Sequence, residues 1–199
     1  LCVRKITPAQ QQQLKLESLK GIVLGAEKNQ PESFTQFIER FSPQGFNANA
    51  LIPGYGLAET TVAASIRFEC PLLIQAFERQ ALEQGKVSIN SNHSQDSISL
   101  IGNGRPIDRH HFLIINPKTK QPQPPNQVGE IWFSGPSVSE GYWNNASITA
   151  ETFTHYNQHR YLRTGDLGFI YHEQLFVVGR INTQINHRGH NISASDIEW

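Results

Sequence analysis

The chain has 199 residues, with seventeen basic and seventeen acidic side chains, a formal net charge of zero and only 17% charged residues; that balance lacks the cationic surplus that holds a nucleic acid. Hydrophobic residues make up 38% and include eleven Phe and three Trp, enough for one sizeable core and against wholesale disorder, while no apolar run approaches the roughly 18 residues of a membrane-spanning helix. Two cysteines, Cys2 and Cys70, supply neither a disulfide framework nor a four-ligand zinc site, and nothing at the start reads as a signal peptide, so a cytoplasmic, reduced protein is the expectation.

The chain begins at Leu1 and contains no methionine, which leads us to expect a piece of a longer protein. Residues 1–4 read as an apolar, strand-like start. Thr7-Pro8 followed by the glutamine run 10–13 predicts a turn into a short helix. Residues 21–27 form a short apolar run closed by glycine, suited to a buried strand ending in a loop. After Pro31, the spacing of Phe34, Phe37, Ile38 and Phe41 predicts an amphipathic helix that Ser42-Pro43 ends. Leu51-Ile52 predicts a second strand, then a turn at Pro53-Gly54-Tyr55-Gly56, with Glu59, Thr60 and Thr61 opening a helix at Val62. Strand, loop and helix together are an α/β signature. Residues 67–102 are polar and weakly patterned in their middle, as expected of an inserted subdomain or excursion. From Arg105 onward the pattern turns to β, with strands over 112–115, 130–133, 168–171 and 175–178, the last two facing each other across His172-Glu173-Gln174 as a hairpin.

Three short segments could carry chemistry. In Gly54-Tyr55-Gly56-Leu57-Ala58-Glu59-Thr60-Thr61, two glycines admit a ligand close to the backbone, Tyr55 offers a flat face to a base, and Glu59 with the following hydroxyls could hold Mg²⁺ beside a phosphate. The same residues also make an ordinary capped strand-to-helix turn. In Arg163-Thr164-Gly165-Asp166-Leu167-Gly168, a short carboxylate on a rigid turn could accept hydrogen bonds from both hydroxyls of a ribose, or simply cap its own turn. Gly179-Arg180 places a guanidinium at the hairpin exit, within reach of a sugar or a phosphate. His155 with His159, and His187 with His190, have spacings compatible with metal ligation on paper, but surface histidines are the simpler reading because no further Cys or His lies nearby. Asn92-His93-Ser94, Asn145-Ala146-Ser147 and Asn191-Ile192-Ser193 match glycosylation sequons, which mean little without a secretory signal.

The order of the short motifs is more informative than any one of them. Gly25-Ala26-Glu27, Tyr55-Gly56-Leu57-Ala58-Glu59, Gly129-Glu130-Ile131-Trp132, Gly141-Tyr142-Trp143, Thr164-Gly165-Asp166 and Gly179-Arg180 together resemble the ordered motifs of the adenylate-forming enzymes, the superfamily of acyl-CoA synthetases, luciferases and peptide-synthetase adenylation domains. Gly-Leu-Ala-Glu-Thr-Thr, the long 67–102 segment, and Arg188-Gly189-His190-Asn191 with Asp196-Ile197-Glu198 most resemble fatty acyl-AMP ligases. The resemblance implies the C-terminal portion of the large α/β domain, with its β-rich part, over residues 1–182, and the start of the small C-terminal domain over 183–199.

It also implies an ATP- and Mg²⁺-dependent activation of a fatty acid, with transfer to an acyl carrier protein or a polyketide or peptide synthase module. Residue by residue, Gly25, Ala26 and Glu27 backbone with Tyr55 and Gly56 would enclose the adenine, and Asp166 and Arg180 would bind the ribose. Glu59 would serve Mg²⁺, and Thr60 or Thr61 would supply a hydroxyl to the α-phosphate. The departures are Ala58 where many members have Thr, and Asn182-Thr183 where the family's Lys-Asp hinge usually follows. Asn186 and His187 interrupt the next apolar strand. The family's Ser/Thr/Gly-rich phosphate loop and late lysine are absent, so the chain alone is expected to be inactive. A non-catalytic remnant that binds nucleotide or carrier protein, and an acyl-CoA synthetase, remain as alternatives.

Overall fold

The computed structural model describes residues 2–68, 70–90, 96–181, 184–187 and 190–193. The start is helical rather than extended: α1 spans Cys2–Lys5 and α2 spans Pro8–Gln12. Val3 and Ile6 lie three apart, and both pack against one apolar cluster, which a helical turn allows and an alternating strand does not. Arg40 donates from Nη1 to the Val3 carbonyl at 2.6 Å, satisfying a terminal acceptor of α1. Thr7 caps α2 reciprocally, its Oγ1 accepting from Gln10 N at 3.3 Å and its own N–H donating to Gln10 Oε1 at 2.9 Å.

Strand β1 (Ile22–Leu24) and helix α3 (Pro31–Phe41) fall where the pattern put them, with Phe34 and Phe41 buried on the inner face, but β1 is not the buried strand expected, its Val23 being exposed and its neighbours half-buried. β2 (Leu51–Tyr55) runs parallel to β1, pairing Ile22 with Leu51 and Leu24 with Pro53. It extends through the predicted turn residues to Tyr55. The predicted helix at Val62 does not form. Residues Ala58–Thr60 make a single 3-10 turn; Thr61 and Val62 take positive φ of 57° and 94°; and β3 (Ser65–Ile66) returns antiparallel to β2. Thr60 does close a turn with Leu57, but the β-branched Thr60-Thr61-Val62 run lowers helix propensity, and the positive φ of Thr61 and Val62, costly for β-branched residues, is held by tertiary bonds such as Ala64 N to Tyr55 O. Gly56 makes the reversal possible, since a Cβ there would lie 1.7 Å from the Val62 carbonyl oxygen.

The 67–102 segment folds back as β4 (Ile74–Glu78), α4 (Arg79–Glu83) and β5 (Ser97–Ile101), with β4 and β5 antiparallel. Phe77 and Leu82 are buried in a cluster with Leu100, Val128, Leu167, Phe169 and Phe176. Residues 86–90 are less solvated than the sequence suggests. Val87 N donates to Asn126 O at 2.9 Å, Asn90 N to Ala76 O at 3.1 Å, and Asn90 is buried. The sequon at Asn92-His93-Ser94 lies outside the described residues. β6 (Arg105–Pro106) pairs β3 and completes a four-stranded sheet ordered β1-β2-β3-β6.

The remainder is the predicted β part: β7 (His111–Ile115), β8 (Gly129–Ser134), helix α5 (Ala146–Thr152), β9 (Phe153–Tyr156), β10 (His159–Tyr171) and β11 (Gln174–Arg180). The strands form one sheet in the order β11-β10-β8-β7, with β9 on β10. The β10–β11 hairpin turns on His172 and Glu173, both at positive φ (47° and 60°), the handedness that matches strand twist. Beyond it, β12 (Gln184–His187) and β13 (His190–Ser193) pair antiparallel, so a strand forms despite Asn186 and His187. Asn182-Thr183, Arg188-Gly189 and Asp196-Ile197-Glu198, on which the hinge and subfamily readings partly rest, lie outside the described residues. Among the described residues no helix is long and apolar enough to cross a membrane.

Candidate nucleotide site

The loop after β1, the end of β2 and the open end of the β10–β11 hairpin meet around a cavity of about 540 Å³, lined among others by Ala26, Glu27, Tyr55, Gly56, Asp166 and Arg180. Parallel strands β1 and β2 both finish at this cavity, where α/β sheets commonly bind ligands. Gly25 itself stands behind the lining, packed so closely that a Cβ would come within 3.3 Å of the Gly54 carbonyl. Ala26 takes a positive φ of 69° and turns the loop toward the opening.

Asp166 is the centre of the site. It is 4% exposed and is delivered by an irregularity in β10, whose register with β8 shifts between Arg163 and Leu167. Thr164 Oγ1 donates to Ile131 O at 2.7 Å and accepts from Asp166 N at 3.1 Å, pinning the turn to the sheet. Both carboxylate oxygens are held: Tyr55 donates its hydroxyl to Oδ2 at 2.7 Å, and Arg180, the cross-strand partner of Asp166, donates Nε to Oδ1 at 2.8 Å. A carboxylate has about four lone-pair sites, so each oxygen keeps acceptor capacity beyond these bonds. Burial first, then the neighbouring Asp166 carboxylate, pushes the Tyr55 phenol well above its usual value. Tyr55 is therefore a neutral, committed donor.

Glu59 stands apart, at the rim of an adjoining cavity of about 460 Å³ that shares Leu57 and Arg180 with the first. Tyr142 donates its hydroxyl to Glu59 Oε1, and burial followed by that carboxylate raises the Tyr142 phenol. Thr60 is turned inward. It is 1% exposed, and its Oγ1 donates to Leu57 O at 2.9 Å and accepts from Leu57 N at 3.2 Å, so it closes its own turn and lines neither of these two cavities. Thr61 spends its hydroxyl on Ser137 O at 3.0 Å.

Asn29 and Asn103 also line the cavity and went unnoticed in the sequence; Asn29 Nδ2 donates to Asn103 Oδ1 at 3.1 Å, tying the loop after β1 to the turn after β5. The only local signal was an Asn between two glycines, Gly102-Asn103-Gly104. Among the described residues no group of three or more His, Cys, Asp or Glu is placed to hold a metal ion.

The sequence profile of the AMP-binding enzyme family matches residues 2–143. The chain belongs to that family. A relative within it is the medium-chain-fatty-acid–acyl-carrier-protein ligase JamA of Moorena producens, 37% identical over 205 residues that cover 99% of this chain and 34% of the relative. A solved structure from a study of fatty acyl-adenylate ligases of E. coli and L. pneumophila superposes with a TM-score of 0.86 at 31% identity, covering 99% of this chain and 35% of that one. The L. pneumophila fatty acyl-adenylate ligase in complex with acyl adenylate and pyrophosphate superposes with a TM-score of 0.82 at 33% identity, over 90% and 32% of the two chains. The AMP-binding fold thus extends past residue 143 through the β10–β11 hairpin. The chain spans about a third of the length of these relatives.

Proposed function

We propose that this chain carries the adenine- and ribose-binding part of an ATP-dependent fatty acyl-AMP ligase. Residues 1–182 would be the end of its large domain, with 67–102 as an insertion, and 183–199 the start of its small domain. The observation that carries the reading is the Asp166 carboxylate, fixed between Tyr55 and Arg180 on the wall of a nucleoside-sized cavity. The family match and the fatty acyl-adenylate ligase structures support it.

In the reaction so proposed, a fatty acid carboxylate oxygen attacks the α-phosphorus of ATP, the bond to the bridging oxygen breaks and pyrophosphate leaves. The phosphopantetheine thiol of an acyl carrier protein, or of a synthase module, then attacks the acyl carbonyl and releases AMP. The chain's part is positioning and charge complementarity. Ala26, Glu27, Tyr55 and Gly56 bound the base, Asp166 accepts from the ribose diol, and the Arg180 guanidinium adds positive charge on the sugar's edge. Glu59 suits Mg²⁺, because one carboxylate is enough when phosphate oxygens and waters fill the remaining positions; the ion would neutralise charge on the phosphates.

The test is fatty-acid-dependent exchange of pyrophosphate into ATP, run on the full-length protein that carries this chain and on the 199-residue chain alone. Exchange in the first and none in the second is expected. Exchange by the chain alone shows that the missing two thirds of its relatives are dispensable, and no exchange by the full-length protein favours a non-catalytic binding role. Efficient acyl-CoA formation with free coenzyme A assigns an acyl-CoA synthetase instead.

A further inference from the structure

The Gly129-Glu130-Ile131-Trp132 motif contains a nearly buried carboxylate, which with Arg163 lines the same adjoining cavity as Glu59. Glu130 is 2% exposed and sits on β8 between Ile115 of β7 and Leu167 of β10. Among the described residues its charged neighbours are Lys120, with Nζ at 3.6 Å, and Arg163, with Nε at 3.7 Å. Neither is at hydrogen-bond distance, and Glu130 Oε2 and Arg163 Nε are buried with no hydrogen-bond partner among the described residues. A carboxylate held this way adds less to folding than a well-packed apolar residue would.

Its position in the ladder points to a different contribution. Arg163 stands opposite Trp132 and Leu167 opposite Glu130, so the stretch from 163 to 167 on β10 faces only 132 to 130 on β8. Three residues, Thr164-Gly165-Asp166, therefore stand opposite the single residue Ile131, a surplus of two on β10, with Gly165 at a positive φ of 70° and Asp166 still paired across to Arg180 of β11. A bulge of this kind re-aims a side chain, and here the side chain is Asp166. Glu130 touches both feet of the bulge: its backbone pairs with Leu167 at one foot, and its carboxylate faces the Arg163 guanidinium at the other. Arg163 is steered further by Nη1 donating to Glu151 O at 2.9 Å and by Cζ lying 5.9 Å from the Trp132 ring.

We infer that Glu130 is a positioning residue, which holds Arg163 and thereby fixes the bulge that presents Asp166 to the ribose of the nucleotide. The inference rests on the reading of Asp166 as the ribose acceptor. Removing the charge frees Arg163 and lets the bulge settle in another register. Asp166 then no longer meets Tyr55 and Arg180 in the same place, and recognition of the ribose hydroxyls suffers before the fold does.

The experiment compares ATP with 2′,3′-dideoxy-ATP in fatty-acid-dependent adenylate formation by the full-length protein. Glu130→Gln, which keeps shape and loses charge, is expected to cut the kcat/KM preference for ATP about tenfold, mainly through KM for ATP, the size of effect that a small misplacement produces. Arg163→Gln should do the same, and the double variant should be no worse than Arg163→Gln alone, because the two act as one unit. If Glu130→Gln does not fold, Arg163→Gln decides. Asp166→Asn calibrates the assay by abolishing the preference. An abolished preference in Asp166→Asn with a wild-type preference in both other variants, or a uniform loss of rate with the preference intact, overturns the role of Glu130 and leaves the nucleotide site standing. A wild-type preference in Asp166→Asn overturns the nucleotide site itself, and the inference with it.

Discussion

Asp166 stands on a long strand hydrogen-bonded on both sides, over a floor in which Phe77 meets Phe169 and Phe176 edge-on at 5.1 and 5.5 Å. Across the cavity, Ala26 and Glu27 sit on a loop that leaves a three-residue strand whose Val23 is 65% exposed. On the proposed reading, the ribose side rests on a strand paired on both sides and the base side on a loop that leaves a three-residue strand. Hydroxyl recognition depends on hydrogen-bond geometry and needs a stiff mount, whereas a base face is held by stacking, which tolerates small displacements. Tyr55 joins the two sides, with its backbone at the end of β2 and its hydroxyl on Asp166.

The largest effect expected from breaking this contrast is on the stiff side. Asp166→Ala in the full-length protein removes two charge-assisted hydrogen bonds to the ribose, each worth about 1.5–3 kcal/mol. ATP affinity measured by calorimetry should fall at least about a hundredfold with the circular dichroism spectrum unchanged. Unaltered affinity would remove Asp166 from the site. Phe77→Ala strikes the floor from within the 67–102 segment, and an aromatic this buried should cost about 3–5 kcal/mol in urea unfolding; a loss under about 1 kcal/mol would mean that the segment is not part of the packed mount. Tyr55→Phe severs the link between the two sides and keeps the ring. It should weaken ATP binding by roughly tenfold, less than Asp166→Ala, because one hydrogen bond to a charged group is lost and stacking remains.

The smallest effect is on pH dependence. The Tyr55 and Tyr142 phenols are both raised above their ordinary 10.0, so the folded chain holds these protons more tightly than the unfolded chain does. Their contribution is complete below about pH 10 and is lost as pH climbs through the folded values. Urea midpoints should show no pH dependence from these groups near neutrality and a decline above about pH 10 that is shallower in Tyr55→Phe.

What could be read from the sequence follows the range of each interaction. Asp166 and Arg180 bracket a hairpin whose apolar runs and turn lie within fifteen residues, and both the strands and their open end were readable from alternation and turn residues. The Tyr55 bond to Asp166 spans 111 residues, and the Asn29 bond to Asn103 spans 74; no local pattern announces either. Local chemistry also misled where tertiary contacts prevailed. Thr60 has the hydroxyl a phosphate needs, but its turn consumes it. Glu59-Thr60-Thr61 has helix-opening chemistry, but the backbone reverses at Thr61 and Val62 so that Ala64 N can reach Tyr55 O at 2.9 Å. Residues 1–4 were apolar enough for a strand, and only their contact with α3 reveals the helical spacing.

The unequal reach of the two bonds to Asp166 also sets the order in which the chain can assemble. Arg180 is fourteen positions away along a hairpin, a closure that takes microseconds once both strands exist. Tyr55 is made much earlier on the ribosome and must wait for residue 166 to emerge and for the intervening sheets to pack. Closure entropy therefore favours the Arg180 contact over the Tyr55 contact in a partly folded chain. Completion of the Tyr55 bond requires that both sheets have formed and met, and a chain folded only in its hairpin holds one carboxylate oxygen of Asp166 and not the other.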